Sequence, residues 1–133
     1  MKISLASMIF LLLFWTSCKE ENPLKDEVSN IVFPDSGVSY ARYVEPLFQQ
    51  QCAFSGCHGG SQPPSGLNLT TPSYNNLLNH QPRLVTPGEP DNSLLIQRLD
   101  GRVSPQMPLN RTPLTANQLK GIRKWIEEGA LNN

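Results

Sequence analysis

The sequence predicts an all-α domain, and three observations carry that reading. Tyr40, Val44, Leu47 and Phe48 recur at steps of three and four residues. Leu94, Leu95, Ile96 and Leu99 gather in one short stretch. Leu119, Ile122, Trp125 and Ile126 form an apolar stripe behind a capping signal. Such spacing places apolar side chains on one face of a helix. Only Ile31-Val32-Phe33 reads otherwise, as a segment that docks on the domain or forms a short strand. At 133 residues the chain has room for one ordinary domain and not two.

The first seventeen residues read as an export signal. Lys2 supplies a positive start, and Ile3 to Trp15 is a nearly continuous apolar stretch, too short to span a membrane stably. Small residues Thr16 and Ser17 precede Cys18. This resembles a bacterial lipoprotein signal, with Trp15 where leucine is more usual. Residues 1–17 are therefore expected to be a signal peptide, and Cys18 the lipidation site of an exported chain. Such a chain is periplasmic or surface-exposed and anchored to a cell-envelope membrane. Plain secretion, with Cys18 lost or left as a free thiol, is the alternative. Residues 18–38 are polar, mixed in charge and interrupted by Pro23 and Pro34, which predicts a flexible tether. The folded unit is expected over 39–133.

Within that unit, Pro46 suits the first turn of a helix far better than an interior position. The first regular helix is therefore expected from about Val44 to about Gln51, delivering Cys52 at its end. Gly59-Gly60, Pro63-Pro64 and Ser65-Gly66 predict a loop over 59–73. Ser73 is a candidate cap for a short helix over Tyr74 to Leu78. Gly88 to Pro90 reads as a turn, after which Asp91 or Asn92 caps the helix of Leu94 to Leu99, with Gly101 following its end. Pro105 and Pro108 flank Met107 in a further loop. Thr115 and Gln118 match a capping box for the last helix, which Gly129 ends. Gly121 inside that helix costs about 1 kcal/mol relative to alanine, which predicts a close approach of another helix there.

The chemistry concentrates in Cys52-Ala53-Phe54-Ser55-Gly56-Cys57-His58. Two thiols followed directly by an imidazole are what covalent haem attachment requires: each thiol adds across a vinyl group, and the histidine becomes an axial ligand of the iron. The usual spacing is CxxCH; here four residues separate the cysteines. The same residues allow other readings. Exported cysteines pair readily, so a Cys52–Cys57 disulfide is chemically feasible. Cys52, Cys57, His58 and His80 also make four donors, enough for a structural zinc. Eleven basic and eleven acidic residues give a formal net charge of zero, and no basic run points to nucleic acid.

Taken in order, Tyr43-Val44-Glu45-Pro46-Leu47-Phe48, the pair Cys52 and Cys57 with His58, Gly66-Leu67-Asn68-Leu69, Val85-Thr86-Pro87-Gly88 with Asn92-Ser93-Leu94-Leu95, Met107-Pro108, and Trp125-Ile126 with Gly129-Ala130 carry a family likeness. Residues 39–130 resemble a small bacterial cytochrome c domain of the planctomycete type with a widened attachment motif. The resemblance implies an all-α cytochrome c fold, with N- and C-terminal helices crossing around one covalent haem c and a methionine on the distal side. With Met1 and Met8 in the signal, Met107 is the only methionine left for that role, and ordinary core packing is its alternative. His80 is the other histidine, either a bis-histidine ligand or a solvated loop residue. The carbonyl that orients His58 is expected between Gln62 and Pro64. Arg98 and Arg102 are candidate partners for haem propionates, and Trp125, Tyr43 and Phe48 are core or haem-wall residues.

The expected function is an anchored, monomeric, monohaem electron carrier with a redox partner protein. A haem-free, disulfide-bonded lipoprotein module for binding or structure is the alternative. A haem enzyme or sensor needs an open or displaceable sixth position at the iron.

Overall fold

The computed structural model describes residues 31–133, so the signal peptide, Cys18 and the first part of the tether lie outside the described residues. Four α-helices follow one another: α1 (Glu45–Gln51), α2 (Tyr74–Leu78), α3 (Leu94–Leu99) and α4 (Ala116–Glu127). Short 3-10 turns lie at Pro64–Gly66 and Pro90–Asn92, and no strand occurs among the described residues. None of these helices is long and apolar enough to cross a membrane.

A π-helical turn over Tyr40–Val44 runs directly into α1. Its cause is local. A proline ring crowds the carbonyl four residues back, which for Pro46 is that of Arg42. The wider turn accommodates the ring, and the Glu45 N–H donates to the Tyr40 carbonyl five residues earlier. α1 buries Leu47 and Phe48 and ends at Cys52, whose N–H donates to the Phe48 carbonyl. α4 opens with the capping box: the Thr115 hydroxyl accepts from the Gln118 N–H, and the Gln118 side chain accepts from the Thr115 N–H. Gln118, Gly121, Ile122, Trp125 and Ile126 face inward. Gly129 closes the helix at a φ of 100°, a backbone region open chiefly to glycine.

α4 is the spine of an aromatic layer. Trp125 is fully buried. Its ring lies 5.2 Å from that of Tyr40, and Tyr74 meets Tyr40 edge-on at 5.0 Å. The polar tips are satisfied: Trp125 Nε1 donates to the Leu131 carbonyl and the Tyr74 hydroxyl to that of Ala130. Tyr40 and Ser73 share a hydrogen bond between hydroxyls, and Ser73 Oγ donates to Glu45. Burial, above all, raises the Tyr40 phenol above its ordinary pKa, so this tyrosine stays neutral and serves as a hydrogen-bonding strut.

Three expectations are corrected here. Residues 31–38, assigned to the tether, are docked. Phe33 and Val38 are buried, the Phe33 N–H donates to Asn117 while Asn117 donates back to the Phe33 carbonyl, and the Gly37 and Val38 N–H groups donate to the Glu128 carboxylate. Ile31-Val32-Phe33 docks rather than forming a strand. The gap at Gly121 is filled by the Phe33 ring and not by a helix: a Cβ there would stand 2.0 Å from Phe33 Cγ. The short helices also start differently from expectation. Ser73 and Ser93 occupy the N-cap positions of α2 and α3 without capping side-chain bonds. Ser93 instead accepts from the Thr86 N–H and donates to the Glu89 carbonyl, pinning the preceding turn.

Candidate functional site

The segment between the cysteines is a closed knot of backbone hydrogen bonds. The Phe48 carbonyl accepts from both Cys52 and Ala53, the Phe54 carbonyl accepts from Cys57 and Gly59, and the His58 N–H returns to the Cys52 carbonyl at 2.9 Å. Gly59 makes this closure possible. A Cβ at that position would lie 2.4 Å from the Ala53 carbonyl oxygen and 2.9 Å from that of Phe54, so a larger residue cannot enter without moving backbone.

His58 is held at both ends. Its carbonyl accepts from the Leu69 N–H at 2.7 Å, and its Nδ1 lies 3.1 Å from the Leu67 carbonyl. A carbonyl can only accept, so in the neutral ring Nδ1 carries the proton and Nε2 keeps its lone pair. This is the arrangement of a metal-ligating histidine oriented from behind. The orienting carbonyl comes from Leu67, just beyond the Gln62 to Pro64 stretch in which the sequence placed it.

Met107 belongs to the loop between α3 and α4, and its N–H donates to the Arg98 carbonyl at 2.9 Å. Two cavities, of about 270 and 220 Å³, flank it. Cys52, His58 and Met107 line both of them, so these three side chains form the seam where two lobes of one cleft meet. The first lobe adds Cys57, Pro108, Leu109 and Arg111. The second is walled by Phe48, Leu67, Leu69, Leu84, Leu94, Leu95 and Leu99, with Arg98 among them. The lining is mainly apolar with a few polar groups, as in a small-molecule or cofactor site.

Cys52 and Cys57 are unbridged. Burial, reinforced by the nearby Cys57 and only partly offset by Arg111, pushes the Cys52 thiol up to about 12, so at neutral pH it is a thiol and not a free thiolate. The four-donor zinc arrangement is not assembled. Both ring nitrogens of His80 face backbone carbonyls, those of Pro82 at 3.1 Å and Ser65 at 3.0 Å. Among the described residues, no group of three or more histidine, cysteine, aspartate or glutamate side chains is disposed to hold a metal ion.

The remaining candidates separate. Arg98 lines the second lobe and donates to the Pro105 carbonyl, whereas Arg102 is committed to Asp100 and Asp91 at the surface. Phe48 is a cleft wall, Trp125 belongs to the aromatic layer, and Tyr43 packs on Phe33. Sequence reasoning missed Gly59, whose pairing with Gly60 signalled only a loop. It also missed the guanidinium of Arg111, which lies 4.3 Å from the Phe54 ring centre.

Comparison with known families gives one result. Residues 55–108 match the family model described as Planctomycete cytochrome C. The matched segment contains Cys57, His58 and Met107, begins just after Cys52 and stops before α4. No curated protein and no solved structure matches the chain significantly.

Proposed function

We propose, from the match of residues 55–108 to the planctomycete cytochrome c family, that this chain is a monohaem electron carrier and not an enzyme. Membership of that family implies covalently bound haem c. The observation that supports the assignment of residues is the seam: Cys52, His58 and Met107 border both lobes of an apolar cleft, with Cys57 beside them. The donor chemistry fits the group. Cys52 and Cys57 offer the two sulfurs for thioether bonds. His58 offers Nε2, its Nδ1 being held by Leu67, and Met107 offers a soft thioether that favours the reduced iron. When bound, the haem supplies reversible one-electron chemistry.

The chain's own part is to hold and to exclude. The Leu67 carbonyl fixes the plane of the His58 ring. The leucines of the second lobe exclude water and keep the surroundings apolar, which helps to set a reduction potential. With His58 and Met107 both holding the iron, no position would be left open for substrate, which is why electron transfer is preferred over catalysis or sensing. The reading extends to an exported protein, anchored to a cell-envelope membrane through acylated Cys18. It acts as a monomer and meets its redox partner through a modest, transient interface.

The test is expression with and without a cytochrome c maturation system, followed by intact mass and a visible spectrum. One haem mass increment and a sharp Soret band are expected only with the maturation system. Colourless protein lighter by two hydrogens, the signature of a Cys52–Cys57 disulfide, overturns the reading. Ready carbon monoxide binding by the ferrous wild type would point instead to an enzyme or a sensor. For the anchor, Cys18→Ser is expected to release the protein from the membrane fraction.

A further inference from the structure

The attachment motif is wider than usual, and the residues that widen it include a phenylalanine with a partner. We propose that the Phe54–Arg111 stack is a positioning contact: it fastens the Met107 loop to the attachment loop and so sets how firmly Met107 is held against the iron. This rests on the haem reading above and adds a role for two residues which that reading leaves idle.

The two ends of the stack differ in rigidity. Phe54 sits in the backbone knot, where its carbonyl accepts from the Cys57 and Gly59 N–H groups. Arg111 lies four residues beyond Met107, in a segment without regular structure between α3 and α4. That segment is tied back through the Met107 N–H to the Arg98 carbonyl, and locally by the Arg111 N–H to the Pro108 carbonyl at 3.4 Å. The guanidinium lies 4.3 Å from the Phe54 ring centre, well within the range of attraction between a cation and an aromatic face. Arg111 also lines the lobe shared by Cys52, Cys57, His58 and Met107. A usual CxxCH motif has two intervening residues. With four, the loop has room to present an aromatic ring outward while both thiols stay on the cleft wall.

A cation–aromatic contact at a partly exposed site shifts a two-state equilibrium about two- to fivefold. The holoproteins to compare are wild type, Phe54→Ala, Phe54→Leu, Arg111→Ala, Arg111→Lys and the Phe54→Ala/Arg111→Ala pair. Intact mass establishes that each carries covalent haem. The readouts are carbon monoxide association with the ferrous protein and the sulfur-to-iron charge-transfer absorption of the ferric protein. Phe54→Ala, Phe54→Leu and Arg111→Ala are expected to bind carbon monoxide about two- to fivefold faster and to weaken the charge-transfer band. The pair should do no more than either alone, and Arg111→Lys should stay close to wild type. Wild-type association in haem-loaded Arg111→Ala, whose side chain is exposed and outside the buried core, overturns the proposal while leaving the electron-carrier reading intact. A wild type without haem overturns both.

Discussion

Around α4 the chain closes on itself through contacts that span most of its length. Phe33 fills the space over Gly121, Tyr40 stacks on Trp125, and Asn133 accepts from the N–H groups of Ala41 and Tyr40. Around the cleft, the segments 52–72 and 103–115 contain one 3-10 turn as their only helical element. They are held by local backbone hydrogen bonds and a few side-chain ties, and Leu67, Leu69 and Leu109 line the two cavities. The first region is satisfied by its own packing. The second has its polar backbone in order but its apolar surface incompletely covered. Such a half-core is what a domain of this size can tolerate when a bound group completes it.

The largest expected effect tests the incomplete half directly. Cys52→Ala/Cys57→Ala should lose all covalent haem, read by intact mass, and should melt far below the loaded wild type. A cooperative melt of the haem-free protein near the wild-type midpoint would break the comparison, because the cleft would then not need filling. Next in size is Trp125→Ala, which removes a fully buried indole from the self-sufficient half. It should cost about 3–5 kcal/mol by denaturant titration and leave the visible spectrum of the loaded protein unchanged. A changed spectrum would mean that the two halves are mechanically coupled.

The comparison also explains what the sequence could disclose. The helix over Ala116–Glu127, its capping box and its Gly129 stop were legible because they depend on short-range spacing. The thiol–imidazole motif was legible for the same reason. What lay hidden depends on contacts between distant segments. The apolar run Ile31-Val32-Phe33 suggests docking, but nothing near Phe33 announces that it will occupy the space above Gly121, so residues 31–38 group with the tether. The partner of Asn117 is 84 residues away. The Leu67 carbonyl behind His58 and the Phe54–Arg111 stack are likewise set by how loops fold back, and loop composition does not encode that.

Gly59 and Gly121 set a smaller and sharper contrast. Both leave no room for a Cβ, yet the obstacle at Gly59 is backbone and that at Gly121 is one side chain. Gly121→Ala can be met by displacing Phe33, with loss of its packing. Gly59→Ala requires the Ala53–Phe54 peptide to move, and the attachment knot with it. Each substitution should destabilise by about 1–3 kcal/mol, but only Gly59→Ala should lower the fraction of chains carrying covalent haem. Equal haem loading in the two variants would show that the knot is not what presents the thiols.

The smallest effect lies at the surface, beside α4. Asp91 Oδ1 accepts from Arg123 on α4 at 2.8 Å and from Arg102, beyond α3, at 3.2 Å. The hydrogen bond from Arg123 foremost, joined by the charges of Arg123 and Arg102, holds its carboxyl below the ordinary value against the opposing effect of desolvation. A carboxylate lowered by folding stabilises fully above its unfolded pKa, and that contribution disappears as pH falls through the folded value. Asp91→Asn should therefore be slightly less stable than wild type at neutral pH, with the difference closing in acid. The ion pairs are exposed, so added salt should shrink the difference as well. Thermal melts of the two proteins across pH and salt read both trends. A difference that persists unchanged in acid would mean that Asp91 acts through its shape and not its charge.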